Sequence, residues 1–571
     1  VLDPCQPGET TGCAFQTGFV RQGMKVGLEL EQELGFNPLQ NGFVAATDSH
    51  NSNPGDVEEW DYRGSAGTVQ SPAFRRLRVN NFDGKAYRSM IKFNTSGGLA
   101  AVWAPENTRE AIFDALARRG VRFDAAYIGT WCMPSRAGLL TGHLQHGVYS
   151  MRMEGQYPGS EYDPAQCPFW PSIFRANGYQ TAQIGKWHTG TDNGFGRDWD
   201  YQLVWNRPRY PENAGAYYEN QLIEKNGAPG KLTPGYSTDN YTDWAVDYIN
   251  GDHRDADKPW YLWLCYGAVH GPFTPADRHL ESLPNVKIPV PKDIFPPRHG
   301  KPDWMQQIEH WIPDENGTPV MKGNGFTAQT VDTQGIHGNK LNDWVRQYHQ
   351  GVKAIDEGVG RLMAALRDSG QLENTLVVFT ADQGIAWGQH GFRVKLAPYD
   401  ANIRSPLIVS MPSRLPSGKV STVPVAGVDL VPTFFEFAKV DLPWKMHGKS
   451  LQPWLEAPNS KLKKTALTVM TGKKYGADTH TIPTNRDDLY INNVPWWVSL
   501  RDGKYKYIRT LVSGETEELY NLRRDPEELT NLAHHAKFKS RVLQMRAATI
   551  DELEKVDARF ISGLPPVGTG Y

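Results

Sequence analysis

Cys132-Met-Pro-Ser-Arg-Ala-Gly-Leu-Leu-Thr-Gly142 is the stretch on which the reading of this 571-residue chain turns. Pro134 near its start and Gly142 at its end are the punctuation of a short helix, because the first turn tolerates proline and the residue after the last turn favours glycine. Cys132 then stands at the amino end, where the helix dipole and the free backbone N–H groups favour negative charge. The bland alternative for such a cysteine is a small buried hydrophobe beside a helix cap.

Outward from that stretch, short apolar runs alternate with helical patterns. Residues 181–184, 260–266 and 375–380 are apolar and too short for core helices, which marks them as strands. Residues 341–366 repeat at helical spacing, with Val345, Val352, Ile355, Val359, Leu362 and Leu366 on one side. This alternation predicts an α/β fold built on a mainly parallel sheet covered by helices on both faces. Residues 275–340 are rich in Pro, Gly, Asn and Asp and predict a long excursion over the surface. After residue 451 the strand-like pieces shorten, at 496–500 and 505–509, before a helix near 537–556, which predicts a smaller C-terminal α+β subdomain over 451–571.

Hydrophobic residues make up 39% of the chain, charged residues 22%, and the formal net charge is -2. That balance belongs to an ordinary globular protein and excludes a basic nucleic-acid binder or a disordered acidic tail. No apolar run approaches the roughly 18 residues of a membrane span. Val1 opens without a charged-then-apolar leader, so the sequence reads as a processed or incomplete product and leaves the compartment open. Cys5, Cys13, Cys132, Cys167 and Cys265 are an odd, scattered set that fits neither a disulfide framework nor a zinc spacing. The 18 tryptophans and 24 tyrosines suit stacking on sugar rings as well as ordinary packing.

Polar groups follow the carboxyl end of each strand. Gly185, Lys186, Trp187 and His188 come after the first; Lys186 is a point charge for an anion's oxygen, and His188 titrates near neutrality. The second runs into Gly267, Ala268, Val269 and His270, which has the chemistry to protonate a leaving group. The third is followed by Asp382 and Gln383, hard oxygen donors suited to calcium or magnesium and poorly suited to zinc, then by His390, Lys395 and Tyr399. Taken singly, each is also an ordinary turn or a satisfied loop residue. Open parallel sheets gather ligands at strand carboxyl ends, so together they predict one pocket.

C-x-P-S-R followed by T-G resembles the recognition motif of type I sulfatases, and Gly178 through His188 resembles that family's second signature. His270-Gly-Pro272, then Asp382-Gln383 with Lys395, resemble later segments, as do Asp429-Leu-Val-Pro-Thr433, Lys504-Tyr-Lys-Tyr-Ile508 and Glu518-Leu-Tyr-Asn-Leu522 with Asp525-Pro526. The resemblance covers about residues 115–560 and implies an alkaline-phosphatase-like fold, with the catalytic domain over 114–450. It implies that a formylglycine-generating enzyme oxidises Cys132 to formylglycine, whose hydrate attacks sulfur. Arg136, Lys186 and Lys395 would hold the negative oxygens, His188 would act as base when sulfate leaves, and His270 would assist the departing alcohol. Calcium, with magnesium as the alternative, would sit on Asp382, Gln383 and the formylglycine at 132. The expected substrate is a sulfated carbohydrate or aryl sulfate, the expected location periplasmic or secreted, with neither nucleic acid nor membrane as a partner. Two other readings stay open: a phosphonate or phosphodiester hydrolase of the same superfamily, and a noncatalytic fusion remnant.

The resemblance breaks near the start. Sulfatases open with an apolar strand ending in two adjacent aspartates, and the nearest candidate here is 99–103, followed by Pro105, Glu106 and Asn107 without a paired acid. Residues 1–113 instead resemble the last part of a PHP- or amidohydrolase-like metal hydrolase family, in Gly27-Leu-Glu-Leu-Glu-Gln-Glu-Leu-Gly35, Asn37-Pro38 and Thr47-Asp48-Ser49-His50. That implies a partial α/β fragment in which Asp48 and His50 are late ligands of an incomplete metal site. Phe113-Asp-Ala-Leu-Ala-Arg-Arg-Gly120 is a helix that both families could supply, so a fusion or a misjoined reading frame would fall there.

Overall fold

The computed structural model describes residues 81–82, 85–86, 119–156, 158–322, 338–393 and 395–568. The chain forms two compact units, Val1–Ala115 and Leu116–Tyr571. In the first, the described residues form an antiparallel hairpin, Asn81–Phe82 with Lys85–Ala86. Asp48, His50 and the 99–107 stretch lie outside the described residues.

The strands of the second unit's three larger sheets are β1 (Val121–Phe123), β2 (Gln180–Trp187), β3 (Tyr201–Asn206), β4 (Gln221–Lys225), β5 (Lys231–Thr233) and β6 (Trp260–Cys265). They continue with β7 (Val377–Thr380), β8 (Leu407–Ser410), β9 (Lys419–Ser421), β10 (Thr465–Met470), β11 (Trp497–Asp502), β12 (Tyr505–Thr510) and β13 (Glu518–Asn521). The longer helices are α1 (Cys132–Thr141), α2 (Ser237–Asn250), α3 (Leu341–Asp368), α4 (Leu430–Ala438) and α5 (Lys539–Lys555).

One sheet has the order β5-β4-β3-β2-β6 and another the order β7-β8-β1-β9. β6, β2 and β3 run parallel, as do β1 and β9, and the remaining pairs are antiparallel. The α/β class follows the sequence pattern, while the sheets are mixed: the β4–β5 hairpin extends the parallel trio in one, and in the other β8 runs antiparallel to both β7 and β1. That hairpin turns at Asn226 and Gly227, both at positive φ (49° and 74°), the backbone an Asn-Gly pair adopts at least strain.

β6 and β7 each close their own sheet, and no described strand lies between them. At their starts Trp260 and Val377 share an apolar cluster with Ile249, Ala365 and Leu366. Cys265, the last residue of β6, and Asp382, just beyond β7, both meet Arg136. Five of the six β6 residues are only half-buried, although Tyr261 and Trp263 pack into one cluster and Trp260, Leu262 and Leu264 into another. With both faces covered, that exposure belongs to the strand's free edge.

α3 confirms the helical repeat and runs two residues past it, with Val345, Val359 and Leu366 buried and Val352, Ile355 and Leu362 half-buried. The expected excursion carries a short helix, Asp303–Gln306, and a hairpin, Trp311–Pro313 with Pro319–Met321; residues 323–337 lie outside the described residues. β10 to β13 form an antiparallel sheet in chain order, with Val498, Leu500 and Tyr507 facing α5 residues Val542, Met545 and Leu553. On the opposite face Met470, Trp497, Ile508 and Tyr520 join Met133, Ala137 and Leu140 of α1 in one core. The period-2 alternation of the strands thus ties the C-terminal sheet to the helix that carries Cys132.

Candidate active site

α1 begins at Cys132 and stops at Gly142, whose φ of 74° lets its N–H reach the Gly138 carbonyl at 2.8 Å. The Ser135 hydroxyl donates to the Trp131 carbonyl at 2.7 Å and holds the chain entering the helix. Cys132 is buried at the amino end, as the punctuation of the sequence implied.

β2 carries Lys186 within the strand, and His188 follows at its end. Gly185, at φ 100°, allows β2 to approach β6 closely: a Cβ there would stand 2.2 Å from the Cys265 carbonyl oxygen. Burial lowers Lys186 to about 8 against the opposing pull of Cys132 and Asp382. Burial, reinforced by Arg207, lowers His188 to about 3 and keeps it neutral. Arg207 Nη1 lies 3.1 Å from His188 Nδ1, and His188 Nε2 lies 3.2 Å from the Pro158 carbonyl.

His270 follows β6, with Nδ1 2.9 Å from the Gly271 carbonyl and its ring stacked on Tyr217 at 3.9 Å and 4°. Burial lowers it to about 4. Lys395, after β7, donates from Nζ to Cys132 Sγ at 2.7 Å. Burial opposes charge on the Cys132 thiol, yet Lys186, Lys395 and hydrogen bonding with His188 and His270 hold it well below its ordinary value. Lys186, His188, His270 and Lys395, read separately from the sequence, therefore converge on one side chain.

Arg136 is used differently from the sequence expectation. It donates to the Lys186 carbonyl, hydrogen-bonds Cys265, lies over the Trp263 ring at 4.7 Å and pairs with Asp382 at 3.8 Å. It thus ties α1 to β2, β6 and the loop after β7. The Gln383 Oε1 is buried without a hydrogen-bond partner, which suits a metal ligand. The described donors do not make up a site for calcium, however, which takes six to eight oxygens. Asp382 is already paired with Arg136, and no group of three or more His, Cys, Asp or Glu with metal-binding geometry occurs among the described residues.

Three site residues escaped the sequence reading. Arg207 and Tyr217 come from the stretch after β3, and Tyr475 from the loop after β10. Tyr475 is buried, its hydroxyl has no hydrogen-bond partner among the described residues, and burial together with the Cys132 charge raises it well above its ordinary value.

The sulfatase family model matches residues 100–440, well over half the chain. The chain belongs to the sulfatase family. A second model, described as a protein of unknown function (DUF3604), matches residues 1–124, so the two matches overlap across the 113–120 stretch. This sulfatase is 28% identical over 481 residues to the N-acetylglucosamine-6-O-sulfatase of Bacteroides thetaiotaomicron, covering 76% of this chain and 81% of the relative. It is 27% identical over 452 residues to the human N-acetylglucosamine-6-sulfatase, covering 72% and 75%. A solved structure bound to its substrate D-glucosamine-2-N,6-O-disulfate matches with a TM-score of 0.64 at 23% identity, over 78% of this chain and 92% of that one. A phosphonate monoester hydrolase from Silicibacter pomeroyi matches with a TM-score of 0.57 at 19% identity, over 79% and 91%. The fold is the alkaline-phosphatase-like α/β fold of these neighbours, and the chain is an enzyme of the sulfuric ester hydrolase class.

Proposed function

We propose that this sulfatase hydrolyses a sulfate ester on an amino sugar of the glucosamine 6-sulfate kind, through a formylglycine that a formylglycine-generating enzyme makes from Cys132. The observation that carries the reading is the convergence of two lysines and two histidines on the Cys132 side chain. Support for the sugar comes from relatives named N-acetylglucosamine-6-sulfatases in a bacterium and in humans.

Hydrated formylglycine supplies two hydroxyls on one carbon, one to attack sulfur as the sugar alcohol leaves and one to expel sulfate and restore the aldehyde. The Cys132 Sγ stands in for those oxygens. Lys395, 2.7 Å from it, and Lys186 offset the negative charge that builds on the sulfuryl oxygens. His270 donates its Nδ1–H to Gly271 and keeps a lone pair on Nε2, so it accepts the hydroxyl proton and returns one to the alcohol. His188, whose Nδ1 accepts from Arg207, keeps its proton on Nε2 and acts as a donor, so His270, neutral again once the alcohol has left with its proton, takes the second hydroxyl's proton when sulfate leaves, the role expected of His188. Arg136 braces the segments that meet there. Lys186 and Lys395 are the chain's own cations at this position and compensate that charge.

The test is sulfate release from glucosamine 6-sulfate by protein co-expressed with a formylglycine-generating enzyme. The expected result is turnover by the native chain and none by Cys132→Ala. Equal turnover by the variant overturns the mechanism, and a higher kcat/KM on a phosphonate monoester would favour the rival hydrolase.

A further inference from the structure

Arg207 sits directly after β3 and is nearly fully buried, at 4% exposure. Its Nε donates to the Ala214 carbonyl at 2.9 Å, and its guanidinium lies 5.3 Å from the Trp205 ring centre and 4.8 Å from that of Tyr217. The described residues place no carboxylate within ion-pairing distance of it. A buried arginine without a carboxylate is costly unless its donors and charge are used by the groups around it. Here one donor reaches the His188 ring at 3.1 Å, and Tyr217 connects the same guanidinium to His270 by ring stacking.

We propose that Arg207 is a positioning residue that fixes His188 in one tautomer and orientation, and so presents its Nε2–H to the nucleophile at 132. An arginine keeps all its protons and can only donate, so Nδ1 of His188 must carry the lone pair. The Pro158 carbonyl can only accept, so Nε2 must carry the proton. Two independent neighbours therefore select the same tautomer, and the anchors of Arg207 on Ala214, Trp205 and Tyr217 hold the ring plane. The assignment deepens the sulfatase reading, and only its activity arm rests on that reading.

The test begins with the unmodified full chain, without substrate, carrying 15N-labelled histidine. Two-bond proton–nitrogen correlation is expected to show His188, identified by the signal lost in His188→Asn, protonated on Nε2 and unprotonated on Nδ1. Arg207→Met is expected to mix the two tautomers and to lower kcat by about 10- to 100-fold with KM little changed, the usual cost of losing a residue that orients a site histidine. Arg207→Lys, which keeps one donor, is expected to recover part of that loss. A native His188 protonated on Nδ1 overturns the proposal, as does an Arg207→Met enzyme with unchanged kcat. If the chain turns over no sulfate ester, the sulfatase mechanism fails while the native nitrogen spectrum still decides the role of Arg207.

Discussion

Lys395→Met keeps much of the side chain's length and apolar stem while deleting the ammonium that touches Cys132. Two full charges separated by the observed 2.7 Å interact by about 6 kcal/mol at an effective dielectric of about 20. Only part of the sulfuryl charge is new in the transition state, and it is spread over several oxygens. About a third to a half of that interaction is therefore differential, or about 2–3 kcal/mol, which lowers kcat by about 30- to 150-fold. Loss of one oxyanion donor in other enzymes falls in the same range. Initial rates of sulfate release across a substrate series give kcat and KM separately, and circular dichroism checks that the variant is folded. A loss of less than about threefold would refute the reasoning. A raised KM with kcat unchanged would mean that Lys395 binds the ground state and the transition state equally.

Lys186, lowered to about 8 by burial, is a cation below that pH and loses its charge above it, so kcat/KM should decline on the alkaline side of about pH 8. A profile that stays flat well beyond that value would remove Lys186 from anion binding. Asp382 and Gln383 give calcium two side-chain oxygens, so calorimetric titration should yield a Kd weaker than about 10⁻⁴ M; tight binding would mean that residues outside the described ones complete the site. Deletion of residues 1–112 should leave turnover unchanged, because every residue placed at the site lies beyond Ala115. Parallel assays of the full and shortened chains decide this, and a large loss would give the first unit a part in catalysis.

Legibility in the sequence followed locality. α1 could be read because Pro134 and Gly142 punctuate it within eleven residues, and Lys186 and His188 because they close an apolar run. The strands at 181–184, 260–266 and 375–380 all exist with shifted ends, β2 reaching back to Gln180 and on to Trp187 and β7 starting at Val377. Arg207 could not be read this way. Asn206-Arg207-Pro208-Arg209 has the composition of a surface turn, and only the packing of Trp205 and Tyr217 buries its guanidinium. Tyr475 was hidden for a similar reason, since only the shared core of α1 and the C-terminal sheet brings it to Cys132. The antiparallel β4–β5 hairpin carried one usable signal, Asn226-Gly227, but the polar residues of β4 mask its apolar alternation. The role of Arg136 depended on Asp382 and Cys265, each more than a hundred residues away in sequence.

The proposed chemistry requires the side chain at position 132 to become an aldehyde. Mass spectrometry of the proteolytic peptide spanning Cys132, from protein co-expressed with a formylglycine-generating enzyme, tests it most directly. The expected peptide is lighter than the encoded sequence by the difference between a thiol and an aldehyde, and reacts with a hydrazide. A peptide that carries only intact cysteine, from protein that nevertheless releases sulfate, would contradict it.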